Sequence, residues 1–548
     1  MSGLWGWFPA LCRTAAYAAA VLACAPFVYH LARGSNAYLG LLEDDYFYYA
    51  IIADRLVLDG RMTYDGTTLT NGVHPLWFAV ITALRAICGR FGPAFYLGLT
   101  LISLASLIAT YELGRRFARR LGAGEPLACA VAIIPAVGSG MLLTSGMECV
   151  VAVPLYLWLL VEIARPGPVT EWRAAKLGLI ASLAILARLD LVLAVALLLA
   201  GFALFARPPL AAGARLLLAF CAGGLLLPLY LAANVLFFGS PIPVSALAKQ
   251  QLVASGFNLT YVLRVARGTA YGSTVALLLP LGLLAFALLL LRDGLRRPAA
   301  SLAGGVALVF PVLFYALNAR TGWTFFGWYA YPLAAALIAA LVFAGERWGR
   351  WVPRPAAALA AILVVALVPA SAVRYYIQHG PRWSIADNPL LAMSQELEAH
   401  VGEKDGRFAM GAIAGFVTYA LDRPVFQLEG IVGDHALLES IEREAPLEDV
   451  LRAYRVDYLV VSTVGRHPDP RDGCYLVTEP NAEWAGPWTK KLRGEICAEP
   501  MTRFVTPWGG HRWSRFTDLE TLVWDLRGAR WKRMGAVAGA SASRHSTR

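Results

Sequence analysis

The sequence predicts a polytopic α-helical membrane protein that carries a C-terminal soluble α/β domain. Of its 548 residues, 58% are hydrophobic and only 16% are charged, whereas soluble proteins average roughly 25% charged residues. Apolar stretches of about 18–22 residues recur through the first ~370 positions, and each is long enough to cross the ~30 Å hydrocarbon core of a bilayer. Beyond residue 374 the composition becomes that of a soluble protein. These observations separate a membrane half from a soluble part.

The membrane half contains about eleven predicted spans. Three longer connections interrupt them, at residues ~33–93, ~237–272 and 318–331. The predicted spans cover residues ~12–32, 94–113, 126–144, 148–164, 174–188, 190–206, 213–236, 273–291, 299–317, 328–345 and 355–373.

Basic residues predict the orientation of these spans, because cytoplasmic loops carry an excess of Lys and Arg. With the N-terminus inside, every second connection is basic, and the odd number of spans places the C-terminal domain outside. The cytoplasmic basic residues are then Arg115, Arg116, Arg119, Arg120, Arg165, Arg173, Lys176, Arg207, Arg215, Arg292, Arg296, Arg297, Arg347, Arg350 and Arg354.

The net charge of +11 does not indicate a nucleic-acid partner. Residues 1–373 hold 26 Lys and Arg against 14 Asp and Glu, whereas residues 374–548 hold 22 against 23. The basic excess therefore belongs to the membrane half, where it interacts with anionic lipid. The bilayer, and no nucleic acid, is the expected partner of this charge.

The soluble part reads as a small α/β unit. Short apolar stretches at Phe408–Ile413 and Asp457–Ser462 predict buried strands, and Asn388–Val401 and His435–Tyr454 predict helices. The last residues are small, polar and basic, which is typical of a disordered tail. The predicted domains are a transmembrane domain at 1–373, a periplasmic α/β domain at 374–534 and a disordered tail at 535–548.

The first long connection begins with a doubled acid, Asp44 and Asp45, followed by an aromatic run. Aspartate is favoured at helix N-termini, so the pair could cap a surface helix that ends at Gly60. Mutual repulsion raises the pKa of one of two adjacent carboxylates, which suits a general base, and the pair could also bind a divalent cation. The sequence leaves open which of the two aspartates would act, and whether any metal is used.

The same connection continues with Asn71, His74 and a 14-residue apolar helix that starts at Pro75. That helix is too short for a span and is expected to lie at the membrane interface. Asn71 suits either a turn or a substrate contact, and His74 either an interfacial position or a catalytic or sugar contact. The aromatic residues fit an interfacial belt, but aromatic faces also bind sugars and isoprenoid chains; they include Tyr48, Tyr49, Trp77 and Trp328.

Ionisable residues at the outward ends of spans form the second group of candidates, because such groups usually face a cavity or the interior of the helix bundle. Arg188 and Asp190 would form either a structural ion pair or a site in which the arginine binds a lipid phosphate. The candidates are Glu148, Arg188, Asp190, Lys249 and Arg320. In the outer domain, Cys474 and Cys497 are the two cysteines available for a disulfide in an oxidising compartment.

These motifs resemble bacterial GT-C-type polyprenyl-phosphate-sugar glycosyltransferases, especially relatives of the mycobacterial arabinofuranosyltransferases and similar mannosyltransferase-like membrane families. The resemblance follows the membrane half in order, and weakly Gly411–Asp434. Tyr46 and Leu189 depart from it, because a small residue and a proline are typical there. It rests on Asp44–Asp45 with the following aromatics, Asp65–Gly66, Thr70–Trp77, Ser145–Glu148, Ala187–Asp190, Phe238–Lys249 and Trp328–Tyr329.

The resemblance implies that a sugar moves from a polyprenyl-phosphate donor to a glycan, lipid or protein acceptor on the periplasmic side of a bacterial plasma membrane, with inversion. Asp44 or Asp45 would be the base, and Arg188, Lys249 or Arg320 would neutralise the leaving phosphate. A lipid-linked-sugar flippase is an alternative that would need no fixed carboxylate pair. An O-antigen ligase or polymerase is another, with its chemistry expected on basic residues of a later loop.

Overall fold

The chain forms two compact units in the computed structural model. The membrane unit comprises Met1–Met62, Val73–Pro243 and Ser255–Asn388, and the C-terminal unit comprises Thr63–Gly72, Val244–Ala254 and Pro389–Arg548. The structure describes all residues except 1–6, 35, 207–208, 252–273, 294–296, 322–325, 349–388, 403, 465–469, 481–489, 508–517 and 533–548.

The membrane unit is built from helices, which begin and end at glycine and proline in several places because proline suits the first helical turn and glycine the left-handed cap. In the described residues these are α1 (Phe8–Ala32), α2 (Asp44–Asp59), α3 (Pro75–Cys88), α4 (Pro93–Leu121), α5 (Glu125–Gly138), α6 (Gly140–Thr144), α7 (Cys149–Ile163), α8 (Glu171–Ala187), α9 (Val192–Ala206), α10 (Leu210–Gly223), α11 (Leu226–Phe238), α13 (Thr274–Asp293), α14 (Pro298–Thr321) and α15 (Leu333–Trp348), with α12 belonging to the other unit.

Four helices of the described residues are long and apolar enough to cross a membrane, and a bent pair adds a fifth. Each of the first ten predicted spans matches a helix or a pair of helices, and the eleventh, 355–373, lies outside the described residues. The count of eleven therefore stays a prediction, whereas an integral membrane protein is shown. The long apolar helices are Phe8–Ala32, Pro93–Leu121, Pro298–Arg320 and Gly327–Arg347.

Two predicted spans are in fact broken. The stretch 126–144 divides into α5 and α6, and the stretch 213–236 divides into α10 and α11, which meet at a 57° bend. Next to the second break, α10 packs closely on α8, since a side chain on Gly223 would overlap the backbone oxygen of Ala175. Small residues let two helices approach in this way, and apolar composition alone did not reveal it.

The two helices of the first connection, α2 and α3, have the predicted bounds. Helix α2 starts at Asp44 and ends before Gly60, whose φ of 68° is left-handed, and α3 runs for 14 residues from Pro75. Glycine closes a helix in this conformation without steric cost. These bounds are local consequences of the sequence.

The C-terminal unit has an α/β fold, as expected. A five-stranded sheet has the order β2-β1-β3-β7-β6, in which β1 is parallel to β2 and β3, and β7 is antiparallel to its neighbours; β4, β5 and β8 form a second, antiparallel sheet. Its elements are α12 (Val244–Gln251), α16 (Pro389–Val401), β1 (Phe408–Met410), α17 (Ala414–Leu421), β2 (Val425–Gln427), α18 (His435–Glu442), α19 (Leu447–Ala453), β3 (Tyr458–Val464), β4 (Tyr475–Glu479), β5 (Leu492–Ile496), β6 (Thr502–Pro507), β7 (Asp518–Asp525) and β8 (Trp531–Lys532).

The predicted helix 435–454 is wrong as one element, because α18 and α19 are separate. Glu444 has a φ of 50° and Pro446 lacks the N–H that a continuous helix needs. Cys474 and Cys497 form a disulfide. The predicted domain boundary after residue 373 and the predicted tail at 535–548 lie outside the described residues.

Two segments from the N-terminal half of the sequence belong to the C-terminal unit. Residues 63–72 form a tight hairpin in which Thr63 pairs with Leu69. The Tyr64 hydroxyl donates to the Ala414 carbonyl at 2.8 Å, and Gly72 lies so close to the Ile431 carbonyl that a β-carbon would overlap it. The hairpin is therefore built into this unit, which the sequence did not predict.

Candidate functional site

The doubled acid forms the first turn of α2, where carboxylates complement the positive end of the helix dipole. Both side chains are partly exposed. Asp45 and Tyr49 are four residues apart and share one face of the helix, whereas Asp44 shares its face with Tyr48. The helical repeat thus gives the two aspartates different surroundings.

Glu43, which the sequence analysis did not single out, precedes this pair. Crowding by protein atoms, and then the negative charges of Asp45 and Asp44, raises the pKa of Glu43 to about 7, although much of the residue remains open to solvent. Glu43 can therefore hold a proton near neutral pH. The signal available in the sequence was the run of three adjacent acids.

The position of Tyr46 explains its departure from the family pattern. Its ring is buried and packs where Gly146 has no side chain, since a β-carbon there would lie 2.7 Å from the Tyr46 Cδ2 atom. The φ of Gly146 is also 81°, which favours glycine. The neighbouring Trp77 donates its indole N–H to the Gly146 carbonyl at 2.8 Å. Tyr46 and Trp77 thus fix the turn that precedes Glu148.

A buried ion cluster lies at the end of this turn. Arg188 Nη1 donates to Glu148 Oε1 at 2.5 Å, and Arg188 Nη2 donates to Asp190 Oδ2 at 2.7 Å. The exposed fractions of the Glu148 and Arg188 side chains are 2% and 3%, whereas that of Asp190 is 25%. One end of the cluster is thus dry, and the Asp190 end is accessible. The expected Arg188–Asp190 ion pair is present, with Glu148 as an additional partner.

Tyr49 and His74 connect the two surface helices to the ion cluster. The Tyr49 hydroxyl donates to Glu148 Oε2 at 3.2 Å and accepts the His74 backbone N–H at 3.3 Å. His74 Nε2 lies 3.8 Å from Glu148 Oε1. Burial, followed by the negative charge of Glu148, raises the pKa of Tyr49, so its hydroxyl stays protonated. The structure therefore brings together five of the predicted residues: Tyr49, His74, Glu148, Arg188 and Asp190.

Tyr331 completes the cluster and was missing from the predicted site. Its hydroxyl donates to Asp190 Oδ1 at 2.6 Å, and the Arg188 guanidinium lies 4.6 Å from the centre of its ring. Trp328, three residues earlier, is buried, stacks on Phe326 at 4.6 Å and accepts the Cys149 thiol through its carbonyl. In the sequence, this segment is rich in aromatic residues, which suggests a functional role for the segment. No local feature of the sequence distinguishes Tyr331 from its aromatic neighbours.

The other three candidates lie elsewhere. Arg320 is exposed in the last turn of α14, whereas the sequence placed it in a loop. Lys249 is helical as well, in α12. Asn71 Oδ1 accepts the Val244 backbone N–H at 2.9 Å and thereby caps α12 within the C-terminal unit. This contact favours a structural role for Asn71.

The residues that the structure describes contain no group of three or more His, Cys, Asp or Glu side chains suited to hold a metal ion. Asp44 and Asp45 are adjacent, but a divalent cation needs further oxygen ligands. The described side chains thus form no complete cation site. The candidate functional site consists of acids, a buried arginine and aromatic residues.

No family model matches the sequence, and no curated protein matches it. Among solved structures, the archaeal oligosaccharyltransferase AglB from Archaeoglobus fulgidus, in complex with an inhibitory peptide and a dolichol-phosphate, has a TM-score of 0.51 at 12% identity, over 82% of this chain and 69% of AglB. Its apo form has a TM-score of 0.50 at 12% identity, over 81% and 69%. ArnT from Cupriavidus metallidurans has a TM-score of 0.49 at 13% identity, over 80% and 91%. The fold of this chain is therefore similar to that of the archaeal oligosaccharyltransferase AglB.

Proposed function

We propose that this chain is a GT-C-type glycosyltransferase that moves a sugar from a polyprenyl-phosphate donor to a glycan, lipid or protein acceptor on the periplasmic side of the membrane. A single arrangement carries the proposal. Asp45 lies one helical turn from Tyr49, and Tyr49 is hydrogen-bonded to the ion cluster of Glu148, Arg188 and Asp190. Buried ionisable groups at the end of spans are costly, and they usually serve function.

Asp45, rather than Asp44, is the proposed base. It accepts the proton of the acceptor hydroxyl as the acceptor oxygen bonds to the anomeric carbon of the sugar. The bond from that carbon to the phosphate oxygen breaks, and its electron pair leaves with the polyprenyl phosphate. Attack from the face opposite the phosphate inverts the anomeric centre. A positioned base contributes about 10²–10⁴-fold to such a step.

The ion cluster orients this chemistry. Arg188 is already engaged by two carboxylates, so it is a poor phosphate ligand. We therefore assign Arg188 to holding Asp190 in place, with the accessible Asp190 and His74 facing sugar hydroxyls. Arg320, in the membrane unit, remains a candidate cation for the leaving phosphate. The AglB structure contains a dolichol-phosphate, which supports a donor of this class.

The test uses the purified full-length protein in detergent with radiolabelled polyprenyl-phosphate arabinose and polyprenyl-phosphate mannose. A heat-inactivated cell-envelope extract, which retains glycans, lipids and proteins, serves as acceptor. We expect label to move from the lipid donor to the acceptor fraction, with release of free polyprenyl phosphate. A flippase would leave the donor intact.

Asp45→Asn and Asp44→Asn form a matched pair, because both remove one charge from the same helical turn. We expect Asp45→Asn to lower transfer at least 100-fold and Asp44→Asn less than tenfold, with both proteins eluting as folded on size exclusion. Full activity in both variants would exclude a carboxylate base at this position. The reverse order would reassign the base to Asp44.

A further inference from the structure

A cavity of about 230 Å³ lies at one end of α1 and α4, apart from the ion cluster. Both helices are long and apolar enough to span a membrane, so the cavity lies at interfacial depth. Cys24 of α1 contacts the carbonyl of Thr100 in α4, which fixes the antiparallel packing of the two helices. The lining residues are Leu31, Gly34, Tyr38, Arg90, Phe91, Gly92 and Pro93.

Arg90 supplies positive charge to this cavity. Its side chain folds back over Gly92, with Nε 3.7 Å from the position of a β-carbon there, and it is exposed. Among the described residues, no carboxylate forms an ion pair with Arg90, in contrast to Arg85 nearby, which is paired with Asp54 at 2.6 Å. Arg90 is thus available to an anion that enters the cavity.

Tyr38 supplies a hydrogen-bond donor. The residue is 6% exposed, lines the cavity and packs its ring 4.5 Å from that of Tyr96. Within the part of the chain that the structure describes, its hydroxyl has no hydrogen-bond partner. Burial raises the pKa of Tyr38, so the hydroxyl keeps its proton. Because Tyr38 lines the cavity, this proton is available to a ligand there.

Exposed apolar side chains extend from the cavity along the same two helices. Leu97 and Leu101 follow Pro93 at intervals of four residues on α4, and Val28 and Val21 lie seven residues apart on α1. Their exposed fractions lie between 46% and 57%. A spanning protein turns such residues toward hydrocarbon. The cavity therefore combines a cation at the interface with an apolar track into the membrane.

We propose that this cavity binds the phosphate group of a membrane lipid, with Arg90 neutralising the phosphate, Tyr38 donating a hydrogen bond and the hydrocarbon chain lying along α1 and α4. The inference goes beyond the transfer reaction and does not depend on it. The ligand class is a phosphate borne by a long hydrocarbon chain, either a phospholipid or a polyprenyl phosphate. The apolar track excludes free phosphate as the natural occupant.

Native mass spectrometry of the delipidated full-length protein tests the proposal by counting bound lipids. The probes are undecaprenyl phosphate and phosphatidylglycerol in separate titrations, with inorganic phosphate as competitor. Arg90→Gln removes the charge, Tyr38→Phe removes only the hydroxyl, and Leu31→Trp fills the cavity while keeping the charge. Arg116→Gln, an exposed arginine at the opposite end of α4, is the matched control.

We expect Arg90→Gln to raise the apparent Kd of one bound lipid about tenfold and Tyr38→Phe about threefold. Leu31→Trp should abolish that site, and Arg116→Gln should leave it unchanged. An effect on both lipids supports a general lipid-phosphate site, and an effect on one lipid supports the proposal and identifies the source. If Arg90→Gln and Leu31→Trp bind both lipids like the control, or if equimolar inorganic phosphate displaces them, the proposal is wrong. Unchanged circular dichroism and elution volume verify that each variant is folded.

Discussion

Each unit holds an arginine against a buried carboxylate, but the two arrangements differ in number of partners and in accessibility. In the membrane unit, Arg188 contacts two carboxylates, the buried Glu148 and Asp190, whose side chain is 25% exposed. In the C-terminal unit, Arg407 forms an ion pair with one carboxylate, Asp65, which is buried. An accessible carboxylate held beside a buried ion pair can contact a substrate, whereas a buried carboxylate cannot. The comparison therefore marks the first cluster as a functional candidate and the second as an anchor.

The surroundings of the two arginines support this distinction. Arg407 also donates to the Tyr454 carbonyl at 2.8 Å and to the Thr67 hydroxyl at 2.7 Å, so its contacts tie the 63–72 hairpin to the sheet domain. Arg188 has two aromatic rings, Tyr329 and Tyr331, within 5.4 Å of its guanidinium, whereas Arg407 has one, Phe426, at 5.4 Å. Backbone contacts fix a fold, whereas aromatic rings beside an accessible carboxylate suit a sugar.

Arg188→Met is expected to have the largest effect, because it leaves the Glu148 carboxylate buried without its cation. Removing one partner of a buried pair costs about 3–5 kcal/mol. Thermal unfolding of the detergent-solubilised protein measures the loss. Arg407→Met is the matched control and should cost less, since Asp65 keeps its bonds to Thr67 and Thr68. Equal losses from the two variants would contradict the comparison, and the added change Glu148→Gln should restore part of the stability.

Asp65→Asn is expected to lower the free energy of unfolding by about 1–3 kcal/mol, because it weakens hydrogen bonds to a charged group. Burial alone would raise the pKa of Asp65, but the backbone N–H groups of Thr68 and Thr67 and the Arg407 charge lower it below its ordinary value. A lowered carboxyl pKa stabilises the fold above the unfolded pKa of about 3.9, and the stabilisation is lost as pH falls through the folded pKa.

The advantage of the wild-type protein over Asp65→Asn should thus be full above about pH 5 and shrink below about pH 4. Unfolding monitored across this range measures the difference. Asp422→Asn, at an exposed position of the same unit, is the control and should change little. A pH-independent difference between Asp65→Asn and wild type would mean that the carboxylate charge is not what anchors the hairpin.

The smallest expected effect comes from removing one hydroxyl in each unit. Tyr331→Phe removes a 2.6 Å bond to Asp190, and Tyr454→Phe removes a bond of the same length to Asp434. Each should cost about 1 kcal/mol of stability. Only Tyr331→Phe should also lower sugar transfer, by about tenfold, because it loosens Asp190. Initial rates of transfer measure this, and equal rates in the two variants would remove Tyr331 from the proposed site.

Much of the local structure was predictable from the sequence. Proline at residue 75 and glycine at residue 60 set helix ends through backbone geometry, which depends on neighbouring residues only. The close contact of α10 with α8 at Gly223 was not predictable, because its partner, Ala175, lies in another helix. Nor was the cap that Asn71 places on α12, because its partner lies 173 positions away.

The sequence by itself determined the membrane character, the two helices of the first connection and the α/β class of the C-terminal unit, since hydrophobicity and turn residues act locally. Only the tertiary structure decided that Arg188 meets Glu148, 40 positions away, and that Asp190 meets Tyr331, 141 positions away. Spanning helices are apolar on every side, so their composition does not specify which face turns inward. Helix packing sets that rotation, and it brings Tyr49, on the Asp45 face of α2, against Glu148.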